Sequence, residues 1–258
     1  MDMPPPQPRD TFPVTMQTRI DPVGDDTYRI ATFDPTYNIS FNQFLIVDER
    51  PALIHTGTYQ AYDSVRAAIA QVIDPKKLAY VVIPHFEADE CGGMRRFVNE
   101  APGCTLIASE LGAALNLSGW EYVGPFKGVR DETLELGKHR LRFLETPHVH
   151  HWDSMMVIDE TTNALFPADL FLQPGEQTPL VRENFSKEMC QLYRESGIFA
   201  AREPVVRVVD RVERFDLEKI HPMHGGSLVK EILPRYFDAL RTQRFWFDNM
   251  VFGRKLPT

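Results

Sequence analysis

The chain predicts a mixed α/β protein in which two β-sheets pack together with helices outside, and three observations predict it. Strand-like and helix-like segments alternate through the first half. Strand-like segments recur through the second half. One run, Leu78–Ile83 (LAYVVI), is apolar throughout, as a strand buried on both faces would be.

Taken in order, residues 1–18 are expected to be a flexible leader, because Pro4, Pro5, Pro6 and Pro8 favour extended backbone. A single domain is expected over residues 19–258. Phe41–Val47 (FNQFLIV) reads as a strand. Asp63–Ile73 carries Val65, Ala68, Ile69, Val72 and Ile73 at helical spacing, with Pro75 as its stop. Pro84 ends the LAYVVI strand, so His85 begins a loop at a strand end. A helix is expected from Met94, a strand over Cys104–Ala108 and a helix over Glu110–Leu117. Leu134–Glu145 alternates apolar and polar residues, as half-buried strands do. Ser154–Ile158 and Leu165-Phe166 continue the sheet. Glu183–Glu195 reads as a helix with Phe185, Met189 and Leu192 on one side and Gly197 as its stop. A last helix carries Ile232, Leu233, Tyr236, Phe237 and Leu240, and Pro234 either begins it or kinks it.

Composition narrows the function. The 258 residues are 43% hydrophobic and 25% charged, ordinary for a globular protein. A formal net charge of −8 argues against a nucleic-acid partner, which needs concentrated Lys and Arg. No apolar run reaches membrane-spanning length and the opening residues have no signal-peptide core, so a cytoplasmic protein without a membrane partner is expected. Cys91, Cys104 and Cys190 form no C-x-x-C pair, which removes zinc-ribbon and rubredoxin-type sites.

Three distant segments carry the candidate chemistry: His85-Phe86-Glu87-Ala88-Asp89-Glu90, then Pro147-His148-Val149-His150-His151 leading on to Asp169, and His221-Pro222-Met223-His224-Gly225. In an extended segment, alternate residues His85, Glu87 and Asp89 project the same way. Any one segment alone is more often a solvated cluster than a metal site. All three at expected strand ends point to two metal ions, with Asp169 as a bridging carboxylate. Oxygen donors outnumber imidazoles, and that mixture favours a harder metal than an all-histidine site would.

These motifs resemble the metallo-β-lactamase superfamily, and within it the di-iron domain of flavodiiron proteins and the stand-alone oxygen-binding di-iron proteins. That branch carries H-x-E-x-D-H where the hydrolase branch carries H-x-H-x-D-H, so Glu87 is the discriminating residue. The next block, P-x-x-H-W-P-D-S-M-M with an aspartate nineteen residues after the histidine, aligns His150 and Asp169 here. The resemblance covers roughly residues 25 to 250 and implies an αββα sandwich. It also implies a ligand set of His85, Glu87 and His150 on one iron and Asp89 and His224 on the other, with Asp169 between them. Zinc or manganese are the alternative metals.

The sixth family position is histidine, and here it is Glu90, which is expected either to ligate through oxygen or to turn away, with ligation slightly favoured. His55 stands where the superfamily has an aspartate before Thr-Gly and is expected to orient a ligand. His148 is expected at the open side of the site. His151 is the ligand if the register slips by one, and otherwise packs beside it. His139 is expected on the solvated surface, His221 in a structural role, and Trp152, Met155 and Met156 in the core. The resemblance implies binding of dioxygen or nitric oxide, as a sensor or a slow reductase. No bound flavin is expected, because too few residues follow the di-iron domain for a flavodoxin domain and no G-x-G-x-x-G run is present. Electrons or signal would pass through a separate protein, and the chain is either a monomer or a homodimer. A di-zinc hydrolase using metal-bound hydroxide is the alternative reading.

Overall fold

The computed structural model describes residues 17–243 and the backbone of two further short strands, Met250–Val251 and Arg254–Lys255. The expected leader falls almost wholly on residues 1–16, outside the described residues, and Thr18 already begins the first strand.

The first sheet contains β1 (Thr18–Gly24), β2 (Thr27–Asp34), β3 (Ile39–Ile46), β4 (Ala52–Ile54), β5 (Tyr80–Ile83), β6 (Thr105–Ser109) and β7 (Phe126–Val129), in that spatial order. β1 to β4 form an antiparallel meander, and β4 to β7 run parallel. Parallel neighbours need crossovers. These are α1 (Tyr62–Ile69), α2 (Ala88–Cys91) with α3 (Met94–Glu100), and α4 (Glu110–Gly112), which continues as a π-helical turn over Ala113–Leu117. The second sheet contains β8 (Thr133–Glu135), β9 (Arg140–Glu145), β10 (Met155–Asp159), β11 (Ala164–Phe166), β12 (Leu180–Val181), β13 (Lys219–Ile220) and β14 (Ser227–Val229). Its order is β12-β14-β13-β11-β10-β9-β8. Against it lie α5 (Ser186–Ser196), α6 (Arg202–Val212) and α7 (Leu233–Thr242).

Side chains that alternate along each strand divide the core into three layers. On β5, Val81 and Ile83 pack outward with Val65, Ile69 and Phe97 of α1 and α3, while Val82 packs inward. On β10, Met156 and Ile158 pack outward with Met189, Val209 and Tyr236 of the second helical layer, while Met155 and Val157 face Phe44, Ile54 and Phe166 between the sheets. Both faces of both sheets are therefore covered, which is why these strands read as unbroken apolar runs.

Several expectations change in detail. α1 ends at Ile69 rather than Ile73, because the chain loosens into turns in which Gln71 N donates to Ala68 O and Val72 N to Ile69 O. Val72 and Ile73 still pack against the first helical layer, so their apolar spacing reports burial rather than helix. Pro75 opens a short 3-10 turn of its own. Gly197 closes α5 with φ 67°, a left-handed conformation that glycine adopts at little cost. Pro234 lies in the first turn of α7 and begins it. His139 is fully buried rather than on the surface, its Nδ1 2.7 Å from Asp159 Oδ2. A turn at Gly137 lets Asp48 accept from the His139 backbone N–H, and that folds the ring inward. Met155 and Met156 lie in the core as expected, but Trp152 is 36% exposed.

Candidate metal centre

The candidate residues meet at one edge of the two sheets. His85 follows β5 after Pro84, and Glu87 is the extended residue that precedes α2. Asp89 and Glu90 lie on α2, not in an extended segment, so they face different directions from those alternation predicts. His150 comes from the loop between β9 and β10, Asp169 from the loop after β11, and His224 from the loop between β13 and β14. Backbone bonds tie the two sheets together at this edge: Met155 N donates to Pro84 O at 2.9 Å, and Asn42 N donates to Met223 O at 2.9 Å. The buried Arg29 and Asn42 side chains both donate to Gly225 O at 2.7 Å, which holds the His224 loop against the first sheet.

His85, Glu87, His150 and Asp169 each direct one donor atom into a common volume, all four lying within 4.8 Å of one another. His150 Nε2 is 2.8 Å from Asp169 Oδ2 and 3.2 Å from Glu87 Oε2. His85 Nε2 is 3.2 Å from Glu87 Oε2 and 3.3 Å from Asp169 Oδ2. The other Asp169 oxygen, Oδ1, lies 3.0 Å from His224 Nε2, and His224 Nε2 lies 3.6 Å from Asp89 Oδ2. One carboxylate thus divides its two oxygens between two groups of donors. The floor is buried, with His85, Asp169 and His224 at 1%, 5% and 7% exposure, while Glu87 faces solvent.

The ring nitrogens on the far side of two imidazoles face protein oxygens. His224 Nδ1 lies 2.9 Å from Ser40 O. A carbonyl only accepts, so that contact fixes the proton on Nδ1 and leaves Nε2 as the donor facing Asp169. His85 Nδ1 lies 3.1 Å from Glu90 Oε2. Asp169 is steadied from behind, where the Tyr193 hydroxyl donates to Asp169 O at 2.8 Å.

Without a metal, protons neutralise the cluster. Burial works against charge on His85, His150 and His224. The surrounding carboxylates outweigh it, chiefly Glu90 for His85 and Asp169 for the other two, and raise the three imidazoles to about 9, 10 and 9. His150 and His85 hold the Glu87 carboxyl down to about 2. Burial would raise Asp169, but His150 and His224 keep it well below the usual range. Burial, joined by the negative charge of Asp169 and Glu90, pushes Asp89 up to about 6. Those imidazole protons are what a cation would displace. The donor set fits two cations in a further respect. Asp169 Oδ1 is buried and has no hydrogen bond of good geometry among the described residues, and such an oxygen is costly to bury unless a charge faces it.

The remaining candidates lie around this centre. Glu90 is fully buried and turns away from the shared volume. Its Oε2 accepts from His85 N at 3.1 Å and its Oε1 is 3.3 Å from His55 Nδ1. Both oxygens lie against histidines, but only Oε2 accepts a hydrogen bond of good geometry, and Oε1 has none among the described residues. His55 is buried beside it with φ 63°. His151 stacks on the His85 ring at 5.6 Å, and its Nδ1 pairs with Asp153. That places it beside His85 rather than among the donors. His148 is exposed, and its backbone N–H donates to His151 O at 2.8 Å. His221 is buried against Phe44 and Phe166, with Nδ1 2.7 Å from Ser227 Oγ, a structural setting as expected.

Three supporting residues went unread in the sequence. Asp153 accepts from the Phe86 backbone N–H at 3.3 Å besides holding His151. It lies inside the His150 block and was accessible there. Tyr193 and Arg29 act on backbone carbonyls far away in sequence, and nothing local marks them. Among the described residues, no helix is long and apolar enough to cross a membrane.

Comparison with known proteins agrees with this geometry. A family model described as "ODP family beta lactamase" matches residues 39–225. The chain is 29% identical over 230 residues to the Flavo-diiron protein FprA2 of Clostridium acetobutylicum, covering 81% of this chain and 57% of that protein. It is 30% identical over 139 residues to the Nitric oxide reductase of Moorella thermoacetica, covering 52% of this chain and 34% of the relative. The solved rubredoxin oxygen:oxidoreductase of Desulfovibrio gigas superposes with a TM-score of 0.78 at 22% identity, over 86% of this chain and 61% of that one. The chain spans about half the length of the first of these relatives. The fold is therefore the two-sheet, helix-flanked core of the flavodiiron structures, and with more than half of its residues inside the family match the protein belongs to the ODP family beta lactamases.

Proposed function

We propose that the chain holds two iron ions and binds dioxygen or nitric oxide at them, as a sensor or a slow reductase supplied with electrons by a separate protein. The observation that carries this reading is the divided Asp169 carboxylate, with Oδ2 toward His85, Glu87 and His150 and Oδ1 toward His224 and Asp89. Glu87 supports iron as the metal. An oxygen donor in place of a third imidazole makes the first position harder, which suits iron better than zinc. The Clostridium flavo-diiron protein, the Moorella nitric oxide reductase and the Desulfovibrio rubredoxin oxygen:oxidoreductase support the same chemistry, and the last suggests a small redox protein as the donor.

When bound, an iron pair would supply electrons to a diatomic ligand. The chain's own contribution is to hold the donors without rearrangement. Ser40 O and Glu90 set the two imidazoles, and Tyr193 sets the Asp169 backbone. Exposed Glu87 and half-buried His150 lie on the open side, where a small ligand enters.

Elemental analysis and anomalous scattering at the iron and zinc edges test the metal. Anaerobic reduction followed by admission of oxygen tests the ligand. The expected result is about two irons per chain and an oxygen-dependent change in the visible spectrum. Two zinc ions, ester or lactam hydrolysis and no response to oxygen would instead establish the hydrolase reading.

A further inference from the structure

Glu90 and His55 come from segments 35 residues apart, yet the backbone is built to bring them together. Thr56, next to His55, donates to Glu90 O through both its backbone N–H (2.7 Å) and its hydroxyl (2.9 Å). Gly93 N donates to Gly57 O at 3.0 Å. The fit is close enough that a Cβ on Gly92 would stand 2.6 Å from Tyr59 N. Within this clamp both side chains are fully buried. Glu90 Oε1 lies 3.3 Å from His55 Nδ1, and Oε2 lies 3.1 Å from both the backbone N and Nδ1 of His85.

A buried carboxylate is tolerated only when its oxygens are engaged. Here the Glu90 side chain accepts from the His85 backbone N–H, and its approaches to the His55 and His85 rings are close charge contacts rather than hydrogen bonds of good geometry. We propose that Glu90 and His55 act as one positioning unit. Glu90 holds His85 by Nδ1 so that Nε2 faces the metal, and His55 engages the second Glu90 oxygen. Glu90 is therefore not a metal ligand, and among the described residues the His224 side of the centre has Asp89, Asp169 and His224 as its protein donors. The two departures from the family pattern, histidine before Thr-Gly and glutamate at the sixth motif position, are then one coupled change. This rests on the reading of His85 as a ligand.

Calorimetric titration of the metal-free protein with zinc, together with histidine-ring 15N–1H spectra, tests the unit. Glu90→Gln is the informative variant. Its amide oxygen still accepts from His85 N and Nδ1, and its NH2 group meets His55. It is expected to bind two zinc ions and to keep the His85 Nδ1–H signal. Glu90→Ala is expected to lose that signal and to weaken zinc binding by ~10–100-fold. His55→Ala is expected to weaken binding in the same direction, and the double variant to be no worse than Glu90→Ala alone. Loss of one zinc in Glu90→Gln with the His85 signal intact makes Glu90 a ligand and overturns the proposal. Losses that add in the double variant also overturn it. Should the wild type take up no zinc, the reading of the centre fails instead. The unit is then decided by the His85 signal and by whether the two alanine substitutions couple in the melting temperature of the metal-free protein.

Discussion

The two sides of the Asp169 carboxylate are unlike. Oδ2 faces two imidazoles and Glu87, drawn from the loops after β5 and β9. Oδ1 faces one imidazole, with Asp89 on α2 beyond it. The imidazoles are also oriented differently. His85 leans on a buried carboxylate, while His224 leans on the Ser40 carbonyl. A carboxylate behind an imidazole makes it the more basic ligand. The contrast teaches that a carboxylate shared between two groups of donors does not make the groups equal. The Oδ2 side is the richer in donors and the tighter, and the Oδ1 side is the one with room.

Removing the bridge should abolish the contrast, and this is the largest effect expected. Asp169→Ala is expected to lose both metal ions, read by elemental analysis after dialysis. Retention of either ion would mean that Asp169 does not link the two sides. The single-side variants come next. His224→Ala should remove one ion and leave the Oδ2 side loaded, whereas His150→Ala should weaken the Oδ2 side first. Zinc isotherms separate the cases, and identical isotherms for the two variants would erase the proposed difference.

How much of this asymmetry was legible in the sequence depended on where the partners lie. His85, Glu87, Asp89 and Glu90 fall within six residues behind a strand-like run, so their proximity was local information. His150, Asp169 and His224 stood out by residue type at expected strand ends, but their ligand assignment came through family spacing, because their convergence needs the whole second sheet. The direction of Glu90, on α2 and beside His55, was not legible, because motif spacing reports neither. α6 was passed over although Val205, Val208, Val209 and Val212 have helical spacing. With Val206, five β-branched residues argue against a helix by propensity, and packing overrides them. His139 misled for the opposite reason. A polar turn around it suggested solvent, and only the fold supplies Asp159.

His221 gives the comparison an internal control. It stands three residues before His224, yet burial lowers it to about 3 where carboxylates raise His224. A histidine depressed in the folded state takes up its proton more readily when unfolded. Its contribution is therefore intact above about pH 6.5 and is lost as pH falls toward 3. The loss is about 5 kcal/mol at most. Urea unfolding of the metal-free protein between pH 7 and 4 should show it, and His221→Gln should flatten the slope. An unchanged slope would assign the acid sensitivity to the donor cluster instead. Gly92→Ala should have a smaller effect. Its Cβ meets the backbone at Ala88 O and Tyr59 N and forces the clamp apart, at about 1–3 kcal/mol. Zinc should be weakened on the His85 side, with the His224 side spared.

Tyr193→Phe should have the smallest effect and the most even one. The hydroxyl donates to Asp169 O and accepts from Leu172 N, so its removal deprives two buried backbone groups of this partner, at about 1–3 kcal/mol. Its hydrogen bond to Asp169 goes to the backbone carbonyl. Any shift of that backbone moves Oδ1 and Oδ2 together, and the two zinc affinities should fall by similar factors, each within about tenfold. A loss confined to one affinity would show that Tyr193 serves a single side, and the asymmetry would then begin in the α5 layer rather than in the ligand loops.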